Sequence, residues 1–219
     1  MSALDIEWVG AIRISRLDVA KQYIQKVIEK NSAFHFSLVS FSLVPQVLSP
    51  LSDDRDTTLL ILHSLETVPY GQPTNIRESL SLFQKLYGNF RGKVIILSDG
   101  ENTSSSSLST LSPLSDGVFI GIGTPTGAKI TQGYDGDGKA RYKEYDGKPV
   151  VSILDTDSIN KLAGELDIDT AFIKKLSDIE SISTIFPIKD SNSMRSILGI
   201  FLICMLLSLY ASPYTLLKK

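Results

Sequence analysis

Three oxygen-bearing side chains stand where an open sheet would gather them: Asp5 in LDIEWVG, Thr74 in GQPTNIRESL and Asp99 in VIILSDGENT. Asp99 ends an apolar, strand-like run and is followed by Gly100. In a parallel sheet the carboxyl ends of the strands point at one rim, and ligands collect in the crevice there. Two carboxylates and a hydroxyl at such a rim form an oxygen-only cluster, the chemistry that suits a hard divalent cation such as magnesium. Each residue also has a plainer use. Asp99 with Gly100 makes a turn pair, Thr74 or Asn75 caps a helix, and Asp5 ends a strand.

Positioning that cluster requires strands that alternate with helices. Strands are predicted at 3–6, 36–43, 93–97 and 117–122, and helices at 16–29, 54–64, 75–87 and 157–166. In the first helix Leu17, Ala20, Tyr23, Ile24, Val27 and Ile28 recur at the spacing of one buried face. The alternation predicts an α/β fold, doubly wound, with a mostly parallel sheet flanked by helices.

The 219 residues suffice for one sizeable core plus an appendage, read as a domain over 1–186 and a linker over 187–195. Basic and acidic residues number 22 and 24, without long runs of one sign, so no basic face offers itself to nucleic acid. Cys204 is the only cysteine and can form neither an internal disulfide nor a paired-cysteine metal site. From Ile197 to Leu217 there are 21 residues without a charge, bracketed by Arg195 and by Lys218 and Lys219. As a helix this stretch would rise on the order of 30 Å, so a transmembrane helix is predicted over 196–217. MSALDIEWVG is too polar for a signal peptide. YDGDGKARYKEYDGKP, 134–149, lacks the acid spacing of a calcium loop and reads instead as hairpin turns, within a hairpin insertion of about 128–153. GIGTPTG, 121–127, lacks the lysine of a phosphate cradle and reads as a strand end and turn.

Taken in order, LDIEWVG, RLDVAKQYI, FSLVSFSLVPQVLSPLSDD, GQPTNIRESL, VIILSDGENT and GVFIGIGTPTGAKI resemble a von Willebrand factor A (vWA) domain. GVFIGIGTPTGAKI with DGKPVVSILDTDSINKLAGEL, closed by an apolar tail, is similar to the bacterial BatA and BatB (aerotolerance) subgroup. The resemblance implies a metal-ion-dependent adhesion site (MIDAS), built from an Asp-x-Ser-x-Ser loop, a threonine and a later aspartate. Asp5, Thr74 and Asp99 match; Glu7 and Val9 stand in the two serine places. The implied site is therefore degenerate, with Asp5, Glu7, Thr74 and Asp99 as ligands of magnesium or manganese, and Asp5, Thr74, Asp99 and Gly100 as partner contacts.

By the same resemblance the chain is a non-enzymatic, membrane-anchored protein-binding module. It would serve as an accessory protein in stress tolerance or envelope and complex assembly, with other vWA and Bat proteins and a MoxR-type AAA ATPase as partners. Two further functions are weighed: an adhesin-like receptor that grips an external protein's acidic side chain through the metal, and a magnesium-dependent phosphohydrolase. Four residues precede Asp5, against about five or six for a typical buried strand. Either the first strand is clipped or the N-terminus is shortened. The implied location is the bacterial cytoplasmic membrane, with the domain extracytoplasmic in the shortened case and cytoplasmic otherwise.

Overall fold

The computed structural model describes residues 3–7, 13–31, 33–41, 45–66, 75–87, 92–101, 109–114, 116–185 and 199–204, with the backbone alone at 7, 184–185 and 199–204. In chain order its elements begin with β1 (Ile6–Glu7), β2 (Arg13–Ile14), α1 (Arg16–Lys30), β3 (His35–Ser40), β4 (Gln46–Ser52), α2 (Arg55–Ser64), α3 (Ile76–Tyr87), β5 (Gly92–Ser98) and β6 (Gly117–Ile122). An arm of short strands follows: β7 (Ala128–Lys129), β8 (Thr131–Tyr134), β9 (Ala140–Tyr142), β10 (Glu144–Tyr145), β11 (Lys148–Pro149) and β12 (Val151–Ser152). The chain then runs through α4 (Thr156–Leu166), β13 (Asp169–Ile173), α5 (Asp178–Ile185) and β14 (Gly199–Cys204).

Six strands form the main sheet in the order β13-β6-β5-β14-β3-β4, all parallel except the edge strand β4, which runs against β3. Alternate side chains of the inner strands feed two separate cores, as the period of two demands. Ile95, Leu97, Val118, Ile120 and Ile122 pack with Leu17, Ala20, Ile24 and Val27 of α1 and Ile179 of α5. Val94, Ile96 and Phe119 pack with Ile76, Leu80 and Phe83 of α3 and Ile159 and Leu162 of α4. The sheet is covered on both faces, as the alternation of elements predicts.

α1 starts where its sequence says it should. Ser15 is the N-cap, its hydroxyl accepting from the Asp18 amide, and Asp18 sits in the first turn where the helix dipole favours an acid. At the other end Lys26 and Lys30 both pair with Glu180, tying α1 to α5. Two strands escape the sequence prediction. β4 carries Pro50, which an edge strand tolerates and a central one does not, and β13 is a short edge strand with a half-exposed start.

Two expectations need correcting. The first concerns the segment before Asp5, predicted as a sheet strand over 3–6. Ala3 makes only an isolated bridge to Ile130, while Ile6 and Glu7 pair with Ile14 and Arg13 in a small antiparallel hairpin. The central place belongs to β14, which pairs in parallel with β5 on one side and β3 on the other. The second concerns the helix predicted over 196–217. Residues 199–204 are a strand, and 205–217 lie outside the described residues. A short apolar run such as GIFLIC suits a fully buried parallel strand as well as a helix, and periodicity alone does not separate them. Among the described residues no helix is long and apolar enough to cross a membrane.

β14 supplies the hydrogen-bonding neighbour of both β3 and β5, so the sheet without it has two open inner edges. A chain ending at residue 195 is expected to lose its cooperative thermal transition and much of its far-ultraviolet strand signal. An unchanged melting temperature in that shortened chain would remove β14 from the fold.

Candidate functional site

The carboxyl rim of the sheet is built around a side chain that the sequence reading passed over. Arg16, the first residue of α1, is fully buried, and its guanidinium lies between the two predicted aspartates. Nε donates to Asp5 Oδ1 at 3.0 Å and Nη2 to Asp5 Oδ2 at 2.7 Å, a two-point grip of one carboxylate. Nη1 donates to Asp99 Oδ2 at 3.1 Å. Nη1 also donates to Ser152 Oγ at 2.8 Å, and Nη2 to the Ser152 carbonyl at 3.0 Å. Five donors are what a guanidinium possesses, and these five bonds use all of them.

Each partner is placed by a different element. Asp99 follows β5, where the apolar strand runs out at the rim. Asp5 is held from behind: the Arg16 amide donates to the Ala3 carbonyl at 3.2 Å, and Asp5 Oδ2 accepts from the Thr124 amide at 2.8 Å and the Thr124 hydroxyl at 3.0 Å. Thr124 comes just after β6, and Ser152 closes β12 at the base of the arm. Beyond Ser152 the chain of bonds continues outward, its hydroxyl donating to Glu101 Oε2 at 2.6 Å while the Ile153 amide donates to Glu101 Oε1 at 2.9 Å.

Room for the guanidinium comes from Gly123. Its φ is +141°, and a Cβ added there would stand 2.7 Å from Arg16 Nε and 2.8 Å from Cζ. A methyl group at 123 therefore meets a side chain that five hydrogen bonds prevent from moving, on a backbone that L residues rarely adopt. Gly100 has a comparable constraint on the other side of the rim. Its φ is +81°, it is buried, and a Cβ there would meet the Asp155 carbonyl at 2.5 Å.

Electrostatically, Arg16 stands between two buried carboxylates. Burial pushes the Asp5 carboxyl up, but Arg16 and the two Thr124 bonds outweigh it and hold the group below its ordinary value. Asp99 is likewise lowered: burial raises it, and nearby positive charge, Arg16 included, overcomes that. Burial alone would lower Arg16, and the two aspartates raise it instead. All three groups are charged at neutral pH.

Of the four metal ligands expected from the sequence, Asp5 and Asp99 meet at one guanidinium. Glu7 is described only in its backbone, within β1, and Thr74 lies outside the described residues. Gly100, expected as a partner contact, is buried against Asp155 and Ile159. Among the described residues no group of three or more His, Cys, Asp or Glu is placed to hold a metal ion. Sequence reasoning missed Arg16, Thr124, Ser152 and Gly123. For Arg16 a signal was present, because position 16 is four before Ala20 and so falls on the apolar face of α1. An arginine in line with a buried stripe at a helix start needs a buried partner.

An open sheet covered by helices on both faces, with a polar cluster at its carboxyl rim, makes the chain an α/β domain of the doubly wound class. Residues 7–101 match the von Willebrand factor type A domain family. Two solved structures share the fold. BatB from Bacteroides thetaiotaomicron, described as a conserved hypothetical protein, superposes with a TM-score of 0.65 at 20% identity, over 84% of this chain and 90% of that one. An aerotolerance-related membrane protein from Bacteroides fragilis gives a TM-score of 0.63 at 22% identity, over 84% of this chain and 91% of its own. No curated protein matches the sequence. The chain has the fold of these Bat-type structures, and its residues 7–101 carry the von Willebrand factor type A match.

Gly123→Ala is expected to cost about 1–3 kcal/mol in urea denaturation, the scale of one strained backbone position. Gly136→Ala, where an added Cβ meets nothing within 4 Å, is the control and is expected to shift stability by less than about 0.5 kcal/mol. Equal effects would mean that Gly123 does not make space for Arg16.

Acid should loosen the same cluster. The folded carboxyls of Asp5 and Asp99 lie below the ordinary aspartate value, so the unfolded chain binds more protons through the carboxylate range. Stability is then fully present above the unfolded value and drains as pH falls through the folded ones. Urea midpoints are expected to drop from about pH 5 to about pH 3, less steeply in Asp5→Asn than in the wild type. Parallel slopes would show that Asp5 contributes nothing to the acid response.

Proposed function

We propose that this protein is a membrane-associated, protein-binding vWA module of the BatA and BatB kind, acting as an accessory in stress tolerance or envelope and complex assembly rather than as an enzyme. The observation that supports docking at the carboxyl rim is the arm formed by β7 to β12. Its base is hydrogen-bonded to the rim cluster through Ser152, and it carries Tyr134 at 60% exposure and Tyr145 at 75%, with Tyr142, Val151 and Ile153 also open to solvent. Tyrosines present a large apolar body with a polar tip, and exposed ones are preferred anchors of protein interfaces. Lys129 lies over the Tyr142 ring, 5.1 Å from its centroid, which holds that ring in place on the arm.

On this reading the partner meets the arm and the loops around Asp5, Thr74, Asp99 and Gly100, a degenerate form of the adhesion site. The proposed partners are a second vWA protein of the Bat kind and a MoxR-type AAA ATPase. Association with the bacterial cytoplasmic membrane is supported by the description of the Bacteroides fragilis neighbour as a membrane protein. The apolar stretch 196–217 has the composition of a tether. Serving the sheet and spanning a bilayer are alternative uses of residues 199–204, and the shortened chain described above tells them apart.

Affinity capture with the full chain from detergent-solubilised membranes tests the proposal. A Bat-type vWA protein or an AAA ATPase is expected in the eluate, with the bait itself in the membrane fraction. The double variant Tyr134→Ala, Tyr145→Ala is expected to weaken capture by about 2 kcal/mol or more, the scale of interface anchors. A bait that stays in the soluble fraction and captures neither class contradicts the reading.

A further inference from the structure

We infer that Arg16 is the resident cation of the rim cluster: its guanidinium takes the place of a divalent metal between Asp5 and Asp99, and its remaining donors fix the tyrosine-bearing arm onto the sheet. The second half of this inference rests on the docking role proposed for that arm; the first stands without it.

The donor set decides against a metal. Asp5 presents both oxygens to Arg16, and Oδ2 also accepts two bonds from Thr124, so both oxygens are already engaged, Oδ2 three times over. The Asp99 oxygen that faces the centre of the cluster is taken by Nη1. Magnesium needs about six oxygens at about 2.0–2.1 Å, and sequence already removes one of them, because Val9 has no oxygen to give. A divalent ion could reach the carboxylates only after Arg16 left, with the loss of its hydrogen bonds in a buried place. An ion bound beside the guanidinium would instead face a buried like charge.

The same geometry gives Arg16 a second task. A metal bound by two carboxylates would end its reach there. The guanidinium is broad and planar, and it continues to both the hydroxyl and the carbonyl of Ser152, where β12 re-enters the domain from the arm. Arg16 is thus a positioning residue: it sets how the arm stands over the rim. Lysine cannot copy it, since one ammonium nitrogen cannot bridge two aspartates and a serine with fixed spacing.

Two measurements on the full chain test this. In the first, manganese chloride is titrated and followed by electron paramagnetic resonance, with thermal melts in magnesium and manganese beside it. No saturable manganese site and no change in melting temperature are expected. A single site with sub-millimolar affinity, lost in Asp99→Asn, overturns the inference. The second uses hydrogen exchange mass spectrometry on Ser152→Ala, which leaves the Arg16 contacts to both aspartates in place. Amide exchange between residues 128 and 151 is expected to speed up by about tenfold, with α1 and α4 unchanged. Unchanged exchange in the arm overturns its attachment through the bond between Arg16 and the Ser152 hydroxyl. Failure to capture any partner would count against the proposed function and leave both of these results standing.

Discussion

A guanidinium buried between two carboxylates is the interaction on which the carboxyl rim depends. Asp5, the turn after β5 and the foot of the arm are distant in sequence, and Arg16 at the start of α1 binds all three, with the turn after β6 joined through Asp5. Such a group is not a cheap source of stability. Taking three charges out of water costs several kcal/mol per ion, and the mutual attraction offsets this only when geometry and hydrogen bonding are nearly complete. Here the completeness is visible, with every guanidinium donor used and Asp5 accepting four bonds. What the cluster gains is definition. With Arg16 missing, two like charges would remain in the interior without their counter-charge, a loss of about 3–5 kcal/mol, so alternative placements of the rim loops are strongly disfavoured.

The sequence carried much of this and withheld the rest for physical reasons. α1, α2, α3, α4, β5 and β6 were legible because their apolar residues repeat at 3.6 or form compact buried runs. β4 and β13 lie at sheet edges, where few residues are fully buried and the run of apolar side chains is broken. The tail was misread over 199–204 because a short apolar run satisfies a central strand and a membrane helix equally. At the site, Asp5 and Asp99 were found from their positions at strand ends. Arg16 was not, because a charged residue at a helix start is usually solvated, and only the coincidence with the apolar stripe marks it as buried.

The identity of the central cation changes what the rim can do. A metal with an open coordination position offers that position to an incoming carboxylate. A guanidinium with five bonds already made offers nothing further, and it is shielded from solvent. On the proposed reading, recognition lies further out, at the arm and its tyrosines, with the cluster beneath fixing the arm's base.

The most direct test of the central claim is a crystal structure of the full chain soaked in manganese, with anomalous data collected at the manganese edge. The account predicts planar guanidinium density joining Asp5, Asp99 and Ser152 and no anomalous peak between the carboxylates. A manganese peak there, with the Arg16 side chain turned out toward solvent, would contradict it.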